Sequence, residues 1–162
     1  MREFSKSESF ALAETEPIIK EVLASGGEFE LYPRGTSMLP LLHQGRDSVT
    51  LVKRPDCHLN DGDIAFYKRS NGQFVLHRVM YRDENGYTMC GDNQTVLEHG
   101  VTDNMIIGIV SSLKIDGKII TPDNKKYRRY VKRRANLAYR RVALFCSYLP
   151  SRVKSKLSSL KN

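Results

Sequence analysis

The 162-residue chain contains no tryptophan, only three cysteines and six prolines. Cys57, Cys90 and Cys146 are odd in number, widely spaced and free of any C-x-x-C pattern. That excludes a disulfide framework and a cysteine-based zinc site, and it fits a reducing compartment. No apolar run approaches the roughly 20 residues that span a bilayer, and the opening MREFSKSESF lacks the apolar stretch of a secretory signal. The expectation is a cytoplasmic protein, peripheral at most to the inner face of a membrane. No glycine-rich phosphate loop occurs, and His43, His58 and His99 keep no ligand spacing with one another or with the cysteines. Neither a metal nor a cofactor is expected.

Acidic residues are missing from one end of the chain. Residues 1–124 hold 13 Lys+Arg and 18 Asp+Glu, a net −5, whereas residues 125–162 hold 13 Lys+Arg and no acid, a net +13. Any attraction to an anionic partner belongs to this tail and not to the body.

Hydrophobic periodicity divides the chain in three. Residues 1–27 read as an N-terminal helix, with Leu12, Ile18, Ile19, Val22 and Leu23 at helical spacing and Gly26-Gly27 closing it. Residues 28–122 read as a β-rich domain, with strand-like runs at 29–31, 49–52, 64–67, 74–81, 87–90, 106–115 and 118–121. Asn71-Gly72, Asn85-Gly86 and Asp116-Gly117 are two-residue hairpin signals between such runs. The fold class is mainly β: a coiled antiparallel sheet with barrel character. Residues 123–162 form a basic tail in which Val131, Ala135, Ala138, Val142, Phe145 and Leu149 share one helical stripe. This predicts one amphipathic helix that ends at Pro150 and is echoed by Val153, Leu157 and Leu160, with the arginines on its other faces.

The chemistry concentrates in four blocks. Ser37 lies in Gly35-Thr36-Ser37-Met38-Leu39-Pro40, where a sharp turn presents Oγ and leaves the serine N–H free for an oxyanion. Asp61-Gly62-Asp63 precedes a strand, and Asp63 suits a turn cap. His77 lies in Leu76-His77-Arg78-Val79. Its strand face is shared with Val75 and Val79, so the imidazole is expected to be desolvated, and the ordinary histidine pKa of about 6.5 suits a general base. Arg78, on the opposite face, suits a structural ion pair. Gly91-Asp92-Asn93 ends the next strand.

In this order and at these separations the blocks resemble the boxes of type I signal peptidases, over roughly residues 30–112. The histidine in place of the usual lysine base is similar to the endoplasmic-reticulum and archaeal branch. The resemblance implies an all-β peptidase fold, shared with self-cleaving SOS-response repressors. It also implies a catalytic group of Ser37 and His77 assisted by Asp92 and Glu98, with Asp92 accepting the ring Nδ1–H. Gly35, Thr36, Met38, Leu39 and Pro40 fall where the substrate binds, with Met38 and Leu39 beside a shallow groove for small side chains.

Three features depart from that family's pattern. Gly35 stands where some members place a second oxyanion donor, Glu98 replaces an aspartate, and no membrane span precedes Ser37. The implied partner is a peptide or precursor-protein substrate. The tail offers its stripe and arginines to an anionic membrane surface or a protein, and less readily Arg128, Arg129, Arg133 and Arg134 with Tyr127 and Tyr130 to nucleic acid. The rival expectation is a non-catalytic or regulatory relative that binds peptide, or nucleic acid through its tail.

Overall fold

Alternating apolar residues build the strands, and the glycine dipeptides turn them. In the computed structural model, which describes residues 6–148, helix α1 (Lys6–Ala24) leads into strands β1 (Phe29–Leu31), β2 (Ser48–Val52), β3 (Ile64–Lys68) and β4 (Phe74–Asp83). Strands β5 (Gly86–Cys90), β6 (Glu98–Val101), β7 (Ile106–Ile115) and β8 (Lys118–Ile120) follow, then helices α2 (Lys125–Ala135) and α3 (Leu137–Tyr148).

All ladders are antiparallel, in the order β1-β2-β7-β3-β4-β5-β6, with β8 added along the end of β7. The sheet does not close. A barrel needs a ladder between its first and last strands, and here the short strands β1 and β6 are the two edges. The three glycine dipeptides join β3 to β4, β4 to β5 and β7 to β8. Only Asp116-Gly117 has both residues at positive φ, 48° and 74°; in the other two the glycine alone takes that conformation.

The sheet buries both faces, as its near-continuous apolar strands require. On one side Ile64, Phe66, Leu76 and Leu113 pack with Ile19 and Leu23 of α1 and with Met38, Leu41 and Leu42 of the loop after β1. On the other, Ala65, Tyr67, Val75, Val79, Tyr87 and Met89 form a second cluster. Leu23 sits over Gly108, where a Cβ would lie 2.7 Å from its Cδ1, so α1 docks against bare β7 backbone.

The tail is not one helix. Asn136 ends α2, and its side-chain oxygen accepts the Tyr139 N–H to start α3, so helix capping by asparagine breaks the stripe in the middle. The far end of the apolar stripe faces solvent, while two of the arginines turn inward. Val142 and Phe145 are 62% and 68% exposed, whereas Arg134 and Arg140 are buried. The arginines turn inward because Asp92 and the carbonyls around it offer acceptors there, which outweigh an apolar contact. Leu149, Pro150 and the echo at 153–160 lie outside the described residues. Among the described residues no helix is long and apolar enough to cross a membrane.

Candidate active site

Strand register decides which of the candidate residues meet. Cys90 pairs with Arg78 and Ala65 with His77, so the alternation along β4 and β5 puts His77, Tyr67 and Met89 on one face and Arg78 on the other. Met89 pairs with Glu98, which brings Glu98 to the His77 face. Asp92, two residues beyond Cys90, falls with Arg78.

The contacts follow this parity. Arg78 holds Asp92 by two parallel bonds, Nε to Oδ1 at 2.8 Å and Nη2 to Oδ2 at 2.7 Å, with both side chains fully buried. Tyr130 donates its hydroxyl to Oδ2 at 2.9 Å, and Arg140 Nη2 lies 3.6 Å from Oδ1. Burial alone would raise the Asp92 pKa; the guanidiniums of Arg78 and Arg140 outweigh it and hold the carboxyl below its ordinary range. The role expected of Asp92, acceptor of the His77 Nδ1–H, is corrected: its oxygens serve Arg78 and Tyr130. Asp92 is the post to which α2 and α3 are tied.

Nδ1 of His77 instead faces Tyr67 and Glu98. The Tyr67 hydroxyl oxygen is 3.3 Å away, and the nearer Glu98 oxygen is 3.9 Å away. Tyr67 donates its single hydroxyl hydrogen to Glu98 at 2.7 Å, which leaves the phenol oxygen to accept from Nδ1–H. Arg69 clamps Glu98 through Nε at 2.8 Å and Nη2 at 2.7 Å. Burial acts to raise Glu98, yet the bonds from Arg69 and Tyr67 prevail and keep it ionised below its ordinary pKa. Burial lowers His77 itself to about 4, only partly opposed by Glu98, so the ring is neutral at pH 7. This tautomer leaves the Nε2 lone pair free.

Nε2 points at the bare Cα of Gly91. A Cβ built there would lie 3.0 Å from His77 Nε2, 2.7 Å from the Ser37 carbonyl oxygen and 2.9 Å from the Gln94 side-chain oxygen. The Ser37 main-chain carbonyl and the imidazole therefore approach one corner, forty residues apart in sequence. Ser37 is half-buried. Its Oγ makes no hydrogen bond to Nε2 among the described residues. The loop is fixed by Asn93, whose N–H donates to the Ser37 carbonyl at 2.7 Å and whose side chain donates to the Thr36 carbonyl at 3.1 Å.

The remaining block residues divide between scaffold and surface. Gly35, at φ +81°, donates its N–H to Gln44. Thr36 accepts the Leu39 N–H, and the Leu39-Pro40 peptide is cis. Met38 is spent on the core instead of a groove, because its side chain packs with Leu41 and Leu42. Leu39 stays half-buried, and Thr36 and Pro40 are exposed. Asp63 caps a turn by accepting the Asn60 N–H at 2.8 Å. A cleft of about 580 Å³ opens on His77 and Glu98, walled by Val96 on one side and by Leu144 and Phe145 of α3 on the other.

Tyr67 and Arg69 are the site residues that sequence reading missed. Tyr67 lies two residues after Ala65, the strand partner of His77, and that pairing is the only signal that pointed to it. Among the described residues no three His, Cys, Asp or Glu side chains are placed to hold a metal. No protein-family profile matches the chain, and no curated protein matches it.

Proposed function

We propose that the chain is a serine endopeptidase of signal-peptidase type, cutting an extended peptide beside small side chains with Ser37 as nucleophile and His77 as general base. The observation that supports this reading is the approach of the Ser37 main-chain carbonyl and a buried, neutral His77 ring to the same bare Gly91, which sets the serine loop beside Nε2.

In this reading Nε2 takes the Ser37 Oγ proton as Oγ attacks the peptide carbonyl carbon. The Ser37 N–H faces the developing oxyanion. The imidazolium then returns its proton to the leaving amine. A water enters, Nε2 takes one of its protons, and the hydroxide releases the acyl group from Oγ, which recovers its hydrogen. Throughout, the Nδ1–H stays on the ring, and ionised Glu98 acts through Tyr67 to stabilise the transient charge. The cleft beside His77 gives the peptide an apolar wall.

The test is cleavage of a peptide library read by mass spectrometry, together with labelling by a serine-acylating inhibitor. Ser37→Ala and His77→Ala should each abolish cleavage and leave the circular dichroism spectrum unchanged, and the label should map to Ser37. Cleavage that survives either substitution overturns the assignment. A peptide-binding, non-cleaving role is favoured by one observation, the missing Oγ to Nε2 bond. Tight peptide capture without labelling of Ser37 would establish that reading.

A further inference from the structure

Helix α2 is KKYRRYVKRRA: seven of its eleven residues are cationic and none is acidic. Like charges one turn apart oppose a helix unless something compensates them. Where α2 meets the start of α3 there is a recess of about 230 Å³, lined by Lys126, Arg129, Arg133 and Arg134 with Tyr130 and Tyr139. No acidic side chain lines it.

Arg134 is the informative member. It is only 7% exposed, donates one Nη1–H to the Asp92 carbonyl at 3.0 Å and stacks 5.4 Å from the Tyr130 ring. Its Nε is buried without an acceptor among the described residues. An unspent donor on a buried guanidinium costs free energy and calls for a partner. The surrounding interior makes the deficit worse, because the Asp92 carboxylate is taken up by Arg78 and Arg140, and Arg134 reaches only the Asp92 backbone carbonyl. The α3 N-terminus adds the positive end of its dipole beside Tyr139.

We propose that this recess binds a phosphate group, which supplies the missing negative charge and acceptor oxygens. Guanidinium forks match tetrahedral phosphate oxygens in geometry as well as charge. The recess takes a phosphate with a small substituent such as glycerol. Nucleic acid fits less well. Tyr130 spends its hydroxyl on Asp92 and its ring on Arg78 and Arg134, and Tyr127 has Arg78 against its ring, so both tyrosines are already engaged within the protein.

Isothermal titration of the full chain with inorganic phosphate and with glycerol 3-phosphate at low ionic strength tests the site. Sedimentation with phosphatidylcholine vesicles, with and without phosphatidic acid, runs in parallel. One saturable site is expected, weakened about tenfold or more by the exposed pair Arg129→Ala and Arg133→Ala. The pair Arg128→Ala and Lys132→Ala, equal in charge but off the recess, should leave it within about twofold. Vesicle binding that needs phosphatidic acid and is displaced by glycerol 3-phosphate marks a lipid source for the group. Binding of the free phosphates alone marks a soluble one. The proposal is overturned by an absence of saturation, by equal losses in the two double variants, or by duplex DNA binding that phosphate does not displace. None of these readouts depends on peptide cleavage, so the site stands or falls apart from the peptidase reading.

Discussion

The Nδ1 of His77 lies 3.3 Å from the Tyr67 hydroxyl oxygen, and that hydroxyl is held more tightly, at 2.7 Å, by Glu98. A phenol thus stands between the imidazole and the carboxylate that would orient it. The direct distance from Nδ1 to Glu98 is 3.9 Å, too long for a hydrogen bond. Tyr67 is a positioning residue: it fixes the tautomer that frees Nε2.

Tyr67→Phe keeps the ring and removes the acceptor. In the peptidase reading, kcat should fall on the order of 100-fold, near the low end of what a positioned general base contributes, with KM nearly unchanged. Steady-state kinetics separate the two constants. A residue that only packed the core would leave kcat intact and lower the melting temperature instead.

Asp92→Asn should act in the opposite manner. It leaves Arg78 buried beside a neutral amide and loosens Arg140 and Tyr130, so the cost is about 3–5 kcal/mol of stability. Chemical denaturation measures that loss, and limited proteolysis should cut first in α2 or α3. If Asp92 instead served His77, the variant would fold normally and lose kcat.

The pH dependence follows from His77. Its ordinary pKa of 6.5 is lowered to about 4 by burial, so between those values the unfolded chain binds a proton that the folded chain refuses. Stability therefore falls as pH falls through this window, by up to about 1.4 kcal/mol per pH unit, and the contribution is flat above it. Glu98 and Asp92, both held below their ordinary values, add losses of the same sign at lower pH. His77→Gln should flatten the slope of melting temperature between pH 6.5 and 4 and leave the acid limb below it. Cleavage should persist down to about pH 5, because the base is still unprotonated there.

Local signals made most of the sheet legible. The period-two runs and glycine dipeptides placed every strand except β6, whose EHGV is too short and too polar to alternate. Ser37 and His77 stood out as candidates because each sits in a distinctive short block. Asp92 and Glu98 were both named beside His77, but local pattern could neither choose between them nor find Tyr67, since that depends on parity across three ladders, which puts Glu98 on the imidazole face and Asp92 on the Arg78 face. The tail failed for a related reason. Its 4-3-4-3 apolar spacing is real, but buried arginines seeking Asp92 and the cap at Asn136 overrode it. A hydrophobic pattern carries no information about an acceptor 42 residues away.

Gly91 gives the sharpest test of the corner itself. The three atoms nearest a Cβ there belong to the candidate machinery or its support: Ser37 O at 2.7 Å, Gln94 Oε1 at 2.9 Å and His77 Nε2 at 3.0 Å. The serine carbonyl cannot retreat easily, because Asn93 N–H holds it at 2.7 Å. The imidazole cannot either, because its far side is packed against Tyr67. Gly91→Ala should therefore cost about 1–3 kcal/mol as an overpacked site. It should also reduce kcat by far more than that destabilisation explains at temperatures where the variant stays folded. A methyl group pressed against the Ser37 carbonyl and Nε2 shifts the serine loop and the imidazole relative to each other without removing either group. Comparable loss of labelling at Ser37 would tie the defect to nucleophile activation, whereas full activity in a folded Gly91→Ala protein would mean that the reaction does not use this corner.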